Sequence, residues 1–186
     1  MKSLVTVLGS SLAAGMLVCS APAQAFTQPV MFNLLQASGT VQTPLGVDDS
    51  LFVDTLVTTE VGALLQQVTF TVASGVSMLE GSAVWQISTA TGAGPRLVGV
   101  NIDILDAGNN VVLSDTFAGV LAGYAHSTLT GPIGPGTYTL RATGNGVRDS
   151  SLDISITMAV PEPSTWALML GGGLGMCWLA ARRRQG

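Results

Sequence analysis

Leu152-Asp153-Ile154-Ser155-Ile156-Thr157-Met158 is the stretch that decides the fold. Large apolar side chains alternate with polar ones. In an extended chain Leu152, Ile154, Ile156 and Met158 therefore share one face, and Asp153, Ser155 and Thr157 share the other. A helix would scatter both sets around its axis. The same period of two returns in Val68-Thr69-Phe70-Thr71-Val72, Ala83-Val84-Trp85-Gln86-Ile87, Val98-Gly99-Val100-Asn101-Ile102-Asp103-Ile104 and Tyr138-Thr139-Leu140-Arg141-Ala142. Weaker alternation predicts further strands over Val30–Leu35, Leu51–Thr58, Val111–Phe117 and Tyr124–Leu129.

Turn chemistry separates these runs. Ala107-Gly108-Asn109-Asn110 reads as a hairpin, Pro132-Ile133-Gly134-Pro135-Gly136 and Gly144-Asn145-Gly146 as turn clusters, and Gly92-Ala93-Gly94-Pro95 as a loop. Ala63–Gln67 also fits one helical turn, because Glu60, Leu64 and Leu65 match a 3.6 period. Many short strands without helical patterns between them predict an all-β chain. The expected body is a single antiparallel β-sandwich of jelly-roll type.

Working outward, the body spans residues 26–160, the size of one domain. It carries Arg96, Arg141 and Arg148 against ten carboxylates, a net charge of −7. Nucleic acid is bound through clustered Lys and Arg, so it is excluded as a partner. Both cysteines, Cys19 and Cys177, lie outside the body, which thus has no disulfide framework, thiolate metal site or cysteine nucleophile.

Residues 1–25 read as a signal peptide. Lys2 is the positive start, Leu4 to Val18 the apolar run, and Ala23-Gln24-Ala25 a small-x-small site that predicts cleavage between Ala25 and Phe26. A lipoprotein would use Cys19, but Val18 before it is too large. At the other end, Pro161-Glu162-Pro163 precedes an apolar run from Trp166 to Ala181 and then Arg182-Arg183-Arg184. The prolines push Val160 and Glu162 toward extended backbone and offer no amide of their own. Ser164 caps a predicted transmembrane helix over 165–181, whose apolar run of 16 residues spans about 24 Å. Trp166 and Trp178 fall near the two interfaces, and the arginines hold the C-terminus in the cytoplasm. Gly171, Gly172, Gly173 and Gly175 make this helix easy to unwind for processing; Gly171 and Gly175 also match a weak helix-dimer pattern.

Residues 161–186 resemble the PEP-CTERM sorting signal of Gram-negative bacteria. The resemblance implies recognition by an exosortase, a membrane-embedded cysteine protease or transpeptidase of organisms that make extracellular polysaccharide. It places the recognised motif on Pro161, Glu162 and Pro163, the helix on Trp166 to Ala181, and the stop on Arg182, Arg183 and Arg184. Val160 and Ser164-Thr165-Trp166-Ala167 fit the same pattern. Phe52-Val53-Asp54 is similar to the first half of a Phe-x-Asp-x-x-x-Phe pattern that names one group of such proteins, but Thr58 stands where the second Phe belongs. Pro135-Gly136-Thr137-Tyr138-Thr139-Leu140 is similar to the closing strand of jelly-roll domains appended to secreted peptidases, where it is a folding feature.

Catalytic constellations are sparse. His126 is the single histidine, and no Gly-x-Ser-x-Gly elbow surrounds a serine. Asp48-Asp49, Asp103, Asp106 and Asn109-Asn110 are weak calcium candidates, since loop oxygens suit that ion, but their spacing fails the EF-hand pattern. Asp103 alternates with apolar neighbours as an outward strand residue would, and Asp106 with Asn109 suits the hairpin turn. Trp85, Tyr124 and Tyr138 are the aromatics that a sugar would stack on, yet Ala83, Trp85 and Ile87 share a core-like face.

The expected function is that of an exported, non-enzymatic surface or matrix protein without cofactor. Its partners are the secretion machinery, an exosortase and, transiently, the inner membrane, with extracellular polysaccharide as a further candidate. A secreted polysaccharide- or calcium-binding module is the alternative, and a hydrolase the third class.

Overall fold

A computed structural model describes residues 25–57, 60–87 and 96–160. Among them are eleven strands: β1 (Thr27–Phe32), β2 (Gln36–Thr40), β3 (Ser50–Val57), β4 (Gly62–Val72), β5 (Met78–Gln86), β6 (Leu97–Leu105), β7 (Val111–Ser114), β8 (Thr116–Leu121), β9 (Tyr124–Pro132), β10 (Gly136–Gly146) and β11 (Ser150–Ala159). A six-stranded sheet has the order β1-β3-β11-β5-β9-β8 and a five-stranded sheet the order β2-β4-β10-β6-β7. The two close on one core as a sandwich.

The pairing is nested. β3 with β11, β4 with β10, β5 with β9 and β6 with β7 each run antiparallel. Apart from the β6–β7 and β8–β9 hairpins, successive strands fall alternately in the two sheets, which is the winding of a jelly roll. The quoted stretch forms β11, at the interior of the six-stranded sheet between β3 and β5. Leu152, Ile154, Ile156 and Met158 are all buried, each worth about 1.5–3 kcal/mol of transfer free energy. They pack with Leu51, Val53, Leu79 and Ala83 of the same sheet and face Val68, Phe70, Ile102, Ile104 and Leu140 of the other.

The sandwich is not wholly antiparallel, because β1 runs parallel to β3 and β2 parallel to β4. The chain passes from β1 across Asn33–Leu35 into β2 in the opposite sheet, returns over Val41–Asp49, and makes the same passage from β3 to β4. Two laps in one sense lay like directions side by side. Alternation in a sequence reports which face is buried and not the direction of the neighbouring strand.

The 3.6-period reading of Ala63–Gln67 is also corrected, since all of Gly62–Val72 is strand. Leu64, Gln66, Val68, Phe70 and Val72 point inward and Leu65 outward. A glutamine in the core had broken the apparent alternation. Gln66, 2% exposed, is held because its Oε1 accepts from Thr55 Oγ1 and its Nε2 donates to Leu34 O, both at 2.8 Å. Burial of an amide is tolerated when its hydrogen bonds are made.

Gly144-Asn145-Gly146 is the end of β10 rather than a turn. Its glycines answer close packing: a Cβ on Gly146 would lie 2.8 Å from Leu35 Cδ2, and one on Gly144 3.2 Å from Val98 O. The predicted strand Val111–Phe117 is divided at Asp115 into β7 and β8, which belong to different sheets. Asp115 Oδ1 accepts from Ile102 N at 2.9 Å at this crossing.

Candidate functional site

Two adjacent rows on the outer face of the five-stranded sheet are polar. Register places Ser38, Gln67, Arg141, Asp103 and Ser114 in one row across all five strands, with Thr40, Thr69 and Thr139 in the next. Ser38, Thr40, Gln67, Thr69, Asn109 and Thr139 line an open groove of about 450 Å³ there, overhung by the β6–β7 hairpin. Hydroxyls and amides dominate it, and no carboxylate lines it.

At the centre of the row, Arg141 Nη2 donates to Asp103 Oδ2 at 2.7 Å, and Ser114 Oγ donates to Asp103 Oδ1 at 2.7 Å. Asp103 is therefore outward-facing yet covered, with a side chain 7% exposed beneath an Arg141 side chain 31% exposed. Burial would raise its carboxyl, but hydrogen bonds with Arg141, Ser114 and Asn101, aided by the guanidinium charge, hold it below the ordinary carboxylate value. Arg141 escaped the sequence reading because its partner lies 38 residues away, on a strand whose adjacency only the fold defines.

The calcium candidates do not converge. Asp103 is neutralised by Arg141, and the Asp106 carboxylate is bound to its own hairpin. Asp106 Oδ1 accepts from Gly108 N at 2.8 Å and Asn110 N at 2.9 Å, while Asn110 Nδ2 donates to both its oxygens. Hydrogen bonds from Asn110 and Gly108 lower its carboxyl against a smaller opposing effect of burial. The turn partner is Asn110; Asn109 instead supplies the left-handed position, with φ 60°, that the turn requires. Among the described residues no three His, Cys, Asp or Glu side chains assemble as metal ligands.

On the outer face of the six-stranded sheet, β3 and β11 set Asp54 directly opposite Asp153. Burial, then the hydrogen bond and charge of Asp54, raise the Asp153 carboxyl. Phe52 and Asp54, the matched half of the Phe-x-Asp pattern, both point outward around buried Val53.

Trp85 is buried as its alternation implied, with its ring 6.4 Å from that of Phe117. Tyr138 stacks across the sheet on Phe70 at 6.0 Å and donates to Gly134 O at 3.0 Å, closing the β9–β10 turn. Tyr124 is exposed at the start of β9 and His126 half-buried two residues on. No groove residue is aromatic.

The two ends of the body meet one loop. Asp48 N donates to Met158 O at 2.7 Å, and Met158 N to Asp49 O at 2.9 Å. Asp49 Oδ1 accepts from Phe26 N at 2.8 Å, and its Oδ2 from Gly46 N at 2.7 Å. Ala25 and Phe26 are exposed here, ahead of β1. Ala23, the motif Pro161, Glu162 and Pro163, the helix with Trp166 and Trp178, and Arg182, Arg183 and Arg184 lie outside the described residues. No helix among the described residues is long and apolar enough to cross a membrane.

A jelly-roll body thus hands the chain over at the exposed end of β11. The segment beyond that strand has a known signature: residues 159–184 match the PEP-CTERM protein-sorting motif, so the chain carries that motif directly after its last strand. The fold is similar to the pre-peptidase C-terminal domain of a collagenase from Bacillus anthracis, at 12% identity and a TM-score of 0.37, covering 74% of this chain and 100% of that one. No curated protein matches the chain.

Proposed function

We propose that the chain is an exported, non-enzymatic protein of the cell surface or extracellular matrix of a Gram-negative, polysaccharide-producing bacterium. A signal peptide over 1–25 delivers it, and an exosortase processes its C-terminus. Residues 165–181 anchor it transiently in the inner membrane with the arginines in the cytoplasm. The observation that carries the reading is the sorting motif beginning where β11 ends. Ala159 O still accepts from Ser77 N, and Val160 is 44% exposed, so a single residue separates the fold from Pro161. Proline has no amide to offer a sheet and disfavours helical backbone in the residue before it, so the motif suits a protease that reads the Glu162 carboxylate as its one charge.

Mass spectrometry of the native protein from membrane and culture fractions tests this. The expected mature form begins at Phe26 and ends near Pro161–Ser164; an intact C-terminus retained in the inner membrane refutes it. Glu162→Gln leaves the apolar run untouched and is expected to abolish processing, whereas unaltered processing would reduce the tail to an anchor.

A second reading concerns the body. The groove lined by Ser38, Thr40, Gln67, Thr69, Asn109 and Thr139 presents neutral donors and acceptors suited to a polyhydroxylated chain, which favours polysaccharide over calcium as ligand. Pull-down with the producer's own polysaccharide, lost in Gln67→Ala with Thr69→Ala, is the expected result; retention by an unaltered share in the double variant refutes the groove.

A further inference from the structure

We propose that Asp49 is the receptor for the new N-terminus made by signal cleavage: the α-ammonium of Phe26 forms an ion pair with its carboxylate and locks the loop that also grips β11. The inference rests on the cleavage reading above and goes beyond it. The bond between Ala25 and Phe26 lies one residue before β1, and Phe26 is already registered, because its carbonyl accepts from Ser50 N at 2.8 Å. In the uncut chain its nitrogen is a neutral amide that donates to Asp49 Oδ1 at 2.8 Å. Cleavage turns that same nitrogen into a cation without moving it. The hydrogen bond becomes charge-assisted, a shorter and stronger class.

The acceptor is prepared for this. Asp49 Oδ2 is held by Gly46 N, and Asp49 N donates to Gly46 O at 3.2 Å, so the carboxylate is fixed on a closed loop. Asp48 adopts φ 66° within that loop, a left-handed conformation that is strained for a branched side chain and tolerated by Asp. The backbone of Asp48 and Asp49 pairs with Met158 on both sides, three residues before Pro161. One loop therefore holds the first residue of the mature chain and the end of the strand that leads into the sorting motif. Removal of the signal peptide tightens the end of the body from which the motif departs.

The test is a double-mutant cycle on the exported protein. Inserting one glycine between Ala25 and Phe26 keeps the small-x-small site and moves the ammonium one residue away, so that Phe26 N is again a neutral amide. Asp49→Asn removes the charge; its lost bond to Gly46 N is common to both backgrounds and cancels in the cycle. N-terminal sequencing establishes where each mature chain begins. With a Phe26 start, Asp49→Asn is expected to lower Tm by about 2–4 °C more than it does in the glycine-inserted chain, a difference that shrinks in 1 M salt. Equal losses in the two backgrounds overturn the ion pair while leaving the cleavage site standing. A mature chain that begins elsewhere than Phe26 overturns both.

Discussion

Arg141→Met is the most decisive perturbation of the outer face. Methionine retains the unbranched stem that covers the sheet and removes the guanidinium, so packing is largely preserved and charge is not. Asp103, 7% exposed beneath the native arginine, then keeps only Ser114 and Asn101 as donors. Breaking a fully buried pair costs about 3–5 kcal/mol, and an exposed one less than about 1 kcal/mol. Arg141 is 31% exposed, so water relieves part of the penalty and the expected loss is about 2 kcal/mol at pH 7. For a body of this size that is a Tm decrease of about 6–10 °C, read by circular dichroism. The pH dependence identifies the cause. In the native protein the Asp103 carboxyl lies below its ordinary value of 3.8, so the stability from the pair is present above that value and is lost as pH falls through the depressed one. Without Arg141, burial acts against the carboxylate, and protonation relieves it. The gap between the two proteins should therefore narrow below about pH 4. A gap of equal size at pH 7 and pH 3 would show that Arg141 acts through its stem alone, and the ion-pair reasoning would fail.

Two other substitutions probe polar side chains that the fold brings together. Asp153→Asn removes one of two carboxylates set opposite each other and should stabilise the protein by about 0.5 kcal/mol at pH 7. Because the Asp153 carboxyl is raised in the fold, the native protein loses this stability as pH rises from the ordinary carboxylate range through the raised value; the advantage of Asn should thus vanish in acid, and a gain that persists there would implicate packing. Gln66→Leu leaves Leu34 O and Thr55 Oγ1 without their partner and should cost about 2–3 kcal/mol in urea unfolding, with m unchanged. A neutral result would mean that relaxation or water replaces both bonds.

The stretches legible in the sequence were β11, the later halves of β4 and of β5 with Trp85, β6 from Val100 onward, and the turn between β6 and β7. At the start of β6 Leu97 is buried and Val98 exposed, because Gly99 at φ 60° and a register shift against β10 break the period. The early half of β4 was obscured because Gln66 occupies a core position and takes partners from β3 and the β1–β2 corner, 11 and 32 residues away. Gly144 and Gly146 carry turn chemistry in isolation, and close approach of Val98 and Leu35 keeps them in a strand instead. Asp103 showed its outward direction but not its cover, since Arg141 and Ser114 arrive from neighbouring strands. Asp106 was legible as a turn residue, and the local backbone decided between Asn109 and Asn110 for its partner.

By itself the sequence determined the class of fold and the sorting motif, because both are written in short-range order. Period-two alternation names the buried face within a few residues, and Pro161-Glu162-Pro163 followed by an apolar run and three arginines is one contiguous signal. The parallel direction of β1 and β2, the polar row across five strands, the pairing of Asp54 with Asp153 and the gathering of both ends of the body on Asp48–Asp49 were decided only in three dimensions. Each depends on which strands become neighbours, and that is set by how the whole core closes rather than by any segment's own pattern.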